Sequence, residues 1–199
     1  MTEPIHLGII GLSTKGWAST YLAPPLLKDP LSSKYRIAAV CTTNADSAKA
    51  SAERHTVNGH KPTAYTSVDD MISSDGVDMV GVSVNIRHHF ELSKKVLGAG
   101  KTLFVEWPAC VGLGGTKELA ALAKDKGVRN IVGLQARQGL LFRKVKAIVE
   151  SGGIGRVVST TMVSKEKCCF HISVVMPPNR RQGHRLPFLE AGVRHGAHL

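Results

Sequence analysis

Short apolar runs alternate with longer amphipathic ones over the first 160 residues. Ile5–Ile10 is a near-continuous apolar run ending at Gly11, the pattern of a buried strand. Tyr35–Cys41 and Val77–Val84 read the same way, and shorter runs at Thr102–Val105, Asn130–Leu134 and Val157–Val163 complete the strand set. Between them the apolar spacing changes to that of a helix. Asn44 is placed to cap a helix reaching about His55, with Ala45, Ala48 and Ala52 on one face. His89–Leu97 carries Leu92 and Val96 four apart, and Thr116–Lys126 turns Leu119, Leu122 and Ala123 inward. Leu140–Glu150 has Leu141, Val145 and Ile148 as its stripe and stops at Gly152-Gly153.

Strands alternating with helices predict βαβ units. The fold expected is α/β, a Rossmann-type doubly wound parallel sheet with helices on both faces. In such sheets ligands bind at the carboxyl ends of the strands, so the residues that follow each strand are the candidates for chemistry. From about residue 165 no period is visible. The expected organisation is a dinucleotide-binding domain over 4–156, the start of a further domain at 157–164, and an irregular basic tail at 165–199.

Composition narrows the class. With 43% hydrophobic and 21% charged residues the chain is globular rather than disordered, collagen-like or coiled-coil. No apolar run approaches the ~18 residues of a membrane span. The start, Met1-Thr2-Glu3-Pro4, lacks the basic and apolar regions of a secretory signal. Four cysteines (Cys41, Cys110, Cys168, Cys169) are too few and too irregular for a disulfide framework, which points to reduced, intracellular thiols. The cytoplasm is the expected location, with the nucleus as the alternative. Net charge is +11. That balance suits an anionic ligand, although scattered bases also describe a plain solvated surface. Arg180-Arg181 is too short a cluster to predict direct nucleic-acid binding. Cys168-Cys169-x-His171, with His184, His195 and His198, lacks the spacing of a zinc site, so no metal is expected.

The loop after the first strand carries the clearest chemical signal. Gly11-Leu12-Ser13-Thr14-Lys15-Gly16 has the spacing G-x-G-x-x-G with Ser13 at the middle position, and Trp17 opens the following helix. A tight turn needs Gly11, a small middle residue lets the backbone approach a pyrophosphate, and Gly16 permits close helix–strand packing. Free N–H groups at the helix start then face the phosphates. An acid holding the adenosine ribose belongs at the end of the second strand, ~20 residues on. Here that position reads Thr42-Thr43-Asn44, with Lys49 nearby. Hydroxyls and an amide tolerate a 2′-phosphate better than a carboxylate would, so NADP is favoured slightly over NAD. No nucleophile–base pair is readable, and no catalytic residue is named.

Beyond these patterns, residue strings carry a resemblance. Leu103–Pro108 (L-F-V-E-W-P) follows a helix ending G-A-G-K. It precedes Gln135–Gln138 (Q-A-R-Q) and a helix ending S-G-G-I-G-R-V. With the glycine loop and Val84–His88 (V-N-I-R-H), residues 4–164 resemble the Gfo/Idh/MocA family of NAD(P)-dependent oxidoreductases. G-L-S-T-K-G-W and V-E-W resemble its fungal branch, which includes the galactose-regulon repressors of yeasts. The resemblance implies that Val84, Asn85, His88, Glu106, Trp107, Gln135 and Arg137 line the cofactor edge beside the loop residues. It also implies a catalytic lysine where this chain has Trp107. Indole does not titrate in the useful range, so the departure favours a sensor over a catalyst. The family's second domain, an open antiparallel sheet that builds the substrate pocket, has no counterpart legible after Val163. Val157–Val163 would then be a strand edge prone to association.

Three functions follow from this resemblance. The first is a dinucleotide-binding regulatory domain with a protein partner or as a homodimer. The second is an oxidoreductase acting on a sugar or polyol. The third is a truncated product with no function of its own.

Overall fold

The computed structural model describes residues 3–165, 169–175 and 188–194, with side chains over 3–161. The chain divides into two compact units, Met1–Leu134 and Gln135–Leu199. The sequence reading places that division after residue 156 instead.

The first unit is a six-stranded sheet in which every neighbour runs parallel. Its strands are β1 (Ile5–Ile10), β2 (Tyr35–Cys41), β3 (Thr63–Tyr65), β4 (Met79–Val82), β5 (Thr102–Glu106) and β6 (Asn130–Gly133). The spatial order is β3-β2-β1-β4-β5-β6, so the winding reverses between β1 and β4. This is the doubly wound arrangement predicted from the sequence, and the reversal opens a crevice at the carboxyl ends of β1 and β4.

Helices α1 (Ala23–Leu26), α2 (Ala45–Arg54), α3 (Val68–Ile72), α4 (His89–Gly98) and α5 (Leu113–Asp125) cover the sheet. Successive residues of β1 feed different cores. Ile10 joins a large cluster with Met71 and Ile72 of α3, Val96 and Leu97 of α4, and Leu119 and Ala123 of α5. Ile9 joins a smaller one with Leu12, Ala18, Ala23 of α1, Ile37, Val40 and Ala52 of α2. α1 is entered through a π-helical turn, Ala18–Leu22, closed by the Ala23 N–H on the Ala18 carbonyl. Pro24 and Pro25 have no N–H to donate to the turn before them, which accounts for the irregular start.

Side-chain caps mark the starts of α2, of α3 and of the turn before α4. The Asn44 side chain accepts from the Ser47 N–H at 2.8 Å, and Ser67 accepts from Asp70 at 3.2 Å. Asn85 accepts from the Arg87 N–H at 3.1 Å, opening a 3-10 turn (Ile86–His88) that leads into α4.

The second unit holds a 3-10 turn (Gln135–Gln138), α6 (Leu140–Glu150) and a three-stranded antiparallel sheet. β7 (Ser159–Lys165) pairs with β8 (Cys169–Val175), which pairs with β9 (Phe188–Arg194). The expected irregular tail is thus corrected at two segments, and the strand read as a lone edge has a partner. The signal was present but weak: Phe170, Ile172 and Val174 lie two apart, the strand period. Of the residues weighed for metal or nucleic acid, Cys168, Arg180, Arg181, His184, His195 and His198 lie outside the described residues. Among the described residues no helix is long and apolar enough to cross a membrane.

Candidate functional site

The loop leaving β1 is fixed by its own backbone. The Gly11 N–H donates to the Cys41 carbonyl at 2.9 Å, the Ser13 N–H to Gly11 at 2.9 Å, and the Gly16 N–H to Ser13 at 3.1 Å. Gly11 stands at φ +89°, and a Cβ there would overlap the Ser83 carbonyl oxygen and lie 2.7 Å from Val84 Cγ1. Ser83 cannot retreat easily, since its N–H is bonded to the Ile10 carbonyl at 3.0 Å. The glycine is therefore required where β1 and the β4 end approach each other. At Gly16 a Cβ would lie 2.8 Å from Ser13 Oγ and 3.3 Å from the Gly11 carbonyl.

Two cavities open on either side of this loop, both at the carboxyl edge of the sheet. One, of about 510 Å³, is lined by Gly11 and Ser13, by Thr42, Thr43 and Ser47 after β2, by Thr66 after β3, and by Val84, His88 and Glu91 after β4. The other, of about 480 Å³, is lined by Gly11, Gly16, Trp17, Ser83, Val84, Ile86, His89, Glu106 and Trp107. Gly11, Ser83 and Val84 border both, so the two form one crevice across the β1/β4 reversal.

Ten of the residues singled out from sequence come together here: Gly11, Ser13, Gly16, Trp17, Thr42, Thr43, Val84, His88, Glu106 and Trp107. Thr14 and Lys15 sit in the loop but line neither cavity. Asn44 and Asn85 are engaged as caps. Gln135 and Arg137 belong to the 3-10 turn of the second unit. Sequence reasoning passed over Ser47, Thr66, Glu91, Ile86 and His89. Glu91 follows His88 by one helical turn, which is the signal that would have found it.

The aromatic side of the crevice is open to solvent. Trp107 is 63% exposed and Trp17 is 55% exposed, and the Trp17 ring lies 4.1 Å from that of Tyr21 between centroids. His89 is buried beneath, with Nδ1 2.8 Å from the Pro108 carbonyl and Nε2 3.0 Å from the Val84 carbonyl. It ties the end of β5 to the end of β4. In the other cavity the Cys41 thiol is pushed up to about 11, first by burial and then by the charge of Asp70. It is a packing group, not a nucleophile.

Behind the loop lies a buried polar chain. The Ser51 hydroxyl of α2 donates to the Leu12 carbonyl, His55 Nδ1 faces the Ser51 carbonyl at 2.8 Å, and His55 Nε2 faces Ser19 Oγ at 3.2 Å. Burial holds the His55 imidazole below its ordinary value of 6.5, and Arg54 pushes it the same way against the Ser51 hydrogen bond.

Comparison with known proteins agrees with this geometry. Residues 5–134 match the model of the Gfo/Idh/MocA oxidoreductase family, NAD-binding Rossmann fold. Dehydrogenase aclE of Aspergillus oryzae is 34% identical over 82% of this chain and 44% of its own length. The galactose/lactose metabolism regulatory protein GAL80 of Saccharomyces cerevisiae is 28% identical over 78% of this chain and 37% of its own. A crystal structure of a super-repressor mutant of Gal80p from the same yeast superposes with a TM-score of 0.72 at 27% identity, covering 83% of this chain and 43% of that one. A mutant of KijD10, a 3-ketoreductase from Actinomadura kijaniata in complex with TDP-benzene and NADP, superposes at 0.69 with 25% identity over 80% of this chain and 48% of that one. The chain thus spans less than half the length of these relatives. Through its glycine loop, its strand order and this match, the chain belongs to the Gfo/Idh/MocA oxidoreductase family as an NAD-binding Rossmann domain.

Proposed function

We propose that the crevice holds a nicotinamide dinucleotide, with the pyrophosphate over Gly11–Gly16, and that the protein senses the dinucleotide rather than turning it over. The fit rests on the shape of the loop. Gly11 makes the tight turn at φ +89° where the end of β4 leaves no room for a side chain, and the two cavities extend on both sides of that turn. The adenosine end falls in the cavity lined by Thr42, Thr43 and Ser47. These are hydroxyls with no carboxylate at the end of β2, which suits a 2′-phosphate and favours NADP over NAD.

One observation carries the regulatory reading: Trp107 stands at the end of β5, on the aromatic side of the crevice. Trp107 cannot exchange a proton there, and among the described residues no lysine lines that cavity. His89 has both ring nitrogens turned to backbone carbonyls. Relatives named as galactose/lactose metabolism regulatory proteins support a regulatory role. The identity to a dehydrogenase supports the second reading, an oxidoreductase acting on a sugar or polyol.

The test is a titration with NADP⁺ and then NAD⁺, followed by tryptophan fluorescence. The chain has only two tryptophans, Trp17 and Trp107, and both line the crevice. Saturable quenching, tighter for NADP⁺ and without cofactor reduction by sugars or polyols, is the expected result. A flat response from folded protein overturns dinucleotide binding. Sugar-dependent reduction overturns the sensor and leaves the oxidoreductase.

A further inference from the structure

The glycine loop is held from behind by side chains outside the crevice. Ser19, Ser51 and His55 are 3%, 0% and 4% exposed. The Ser51 hydroxyl fixes the carbonyl of Leu12, the residue between Gly11 and Ser13. Ser19 lies in the helical turn that follows the loop, and it meets His55 at 3.2 Å. Both ends of the loop are thereby anchored to α2.

The hydrogen bonds also settle the form of the ring. Nδ1 faces a carbonyl, which only accepts, so Nδ1 carries the proton. Nε2 is then the acceptor for the Ser19 hydroxyl. A second proton would force that hydroxyl to turn away and would place a cation in a packed interior. The surroundings oppose it as well. Arg54 lies next in the helix, and Tyr35, Arg36 and His60 line, with His55, a small cavity of about 160 Å³ at the far end of α2. Among the described residues no carboxylate lines it.

We propose that Ser19, Ser51 and His55 are positioning residues for the dinucleotide loop, which they hold in its binding geometry while His55 is neutral and release when it is protonated. The inference rests on the dinucleotide reading above. It makes binding of the dinucleotide and of a proton mutually opposed, and linkage makes the opposition reciprocal. The ligand therefore lowers the His55 pKa further, and acid weakens the ligand. A ligand-induced shift of one pKa unit corresponds to a change of about tenfold in Kd.

The experiment measures NADP⁺ affinity between about pH 7.5 and about pH 5.5, the range in which a histidine changes charge. It uses the wild-type chain and His55→Gln, and follows the imidazole proton of His55 by NMR with and without NADP⁺. The expected result is a Kd that rises by about tenfold toward acid in wild type, a markedly flatter profile in His55→Gln, and a His55 titration displaced to lower pH by the ligand. His88 lines the crevice, so its own titration is followed in the same spectra. Ser51→Ala is expected to weaken binding about threefold to tenfold at the upper pH. Saturable binding with a His55 titration indifferent to ligand overturns this inference alone, and it does so even if the variants fail to fold. No saturable binding by folded wild type at the upper pH overturns the dinucleotide reading and this inference together.

Discussion

Replacing Gly11 by Ala tests whether the loop geometry is dictated by the approach of β1 to the end of β4. Two costs add. At φ +89° an L side chain is strained by about 1–2 kcal/mol. The new Cβ also overlaps the Ser83 carbonyl and meets Val84 Cγ1 at 2.7 Å. Relieving it shifts backbone that is bonded to Ile10, an overpacking cost of about 1–3 kcal/mol. The expected loss is therefore about 2–5 kcal/mol, a large share of the ~5–15 kcal/mol that holds a domain of this size. Gly59→Ala supplies the control. It stands at φ +76° with nothing within 4 Å of its Cβ position, so it bears the dihedral cost alone. Urea unfolding of both variants against wild type reads the difference, with the denaturant slope held constant. Equal losses at the two glycines would refute the argument, because the close approach would then contribute nothing.

Further expectations concern the caps and titrating groups. Asn44→Ala removes the bond to the Ser47 N–H and is expected to cost about 0.5–2 kcal/mol in the same unfolding assay. Cys41, with its thiol pushed up to about 11, is expected to resist a thiol reagent at pH 8 in the folded chain and to react once the chain is unfolded. His55, held below 6.5 in the folded state, takes up its proton more readily when unfolded. Stability is then expected to fall as pH drops through 6.5 and on through the lowered folded value, with this group's slope fading out over about a pH unit above 6.5. Thermal melts across that range, with His55→Gln as reference, check the sign.

Much of the fold is legible in the sequence because the central strands are buried on both faces. Ile5–Ile10 and Tyr35–Cys41 are apolar enough that the observed strands share their read bounds. β3 was not readable: its three residues, Thr63–Tyr65, are half-buried at most, and an edge strand that short leaves no period. α5 was read from Thr116, yet it begins at Leu113. Gly114 and Gly115 disguise its first turn, and Gly115 is wanted for packing, since a Cβ there would lie 3.1 Å from Phe90 of α4. The site divides along the same line. Gly11 and Thr42 follow from the fold rule and Val84 from the family resemblance, and all three line the crevice. Thr66 depends on the strand that was missed. The Ser51–His55 pair lies within a helix that was read for its alanine face, where polar residues pass as solvent-facing.

The unequal cores on the two faces of the sheet have a dynamic consequence. Among the described residues the α3/α4/α5 face gathers sixteen buried side chains, and the α1/α2 face only seven, three of them alanines. Less apolar area secures the second layer, so it is the first cooperative unit to open below the global unfolding limit. Amide hydrogens of α1 and α2 are expected to exchange through that partial opening, while those of β4, β5 and α4 are expected to wait for the whole domain. The glycine loop rests on the layer that opens first. A ligand that settles on the loop is therefore expected to slow exchange in α1 and α2 as it raises the melting temperature of the chain.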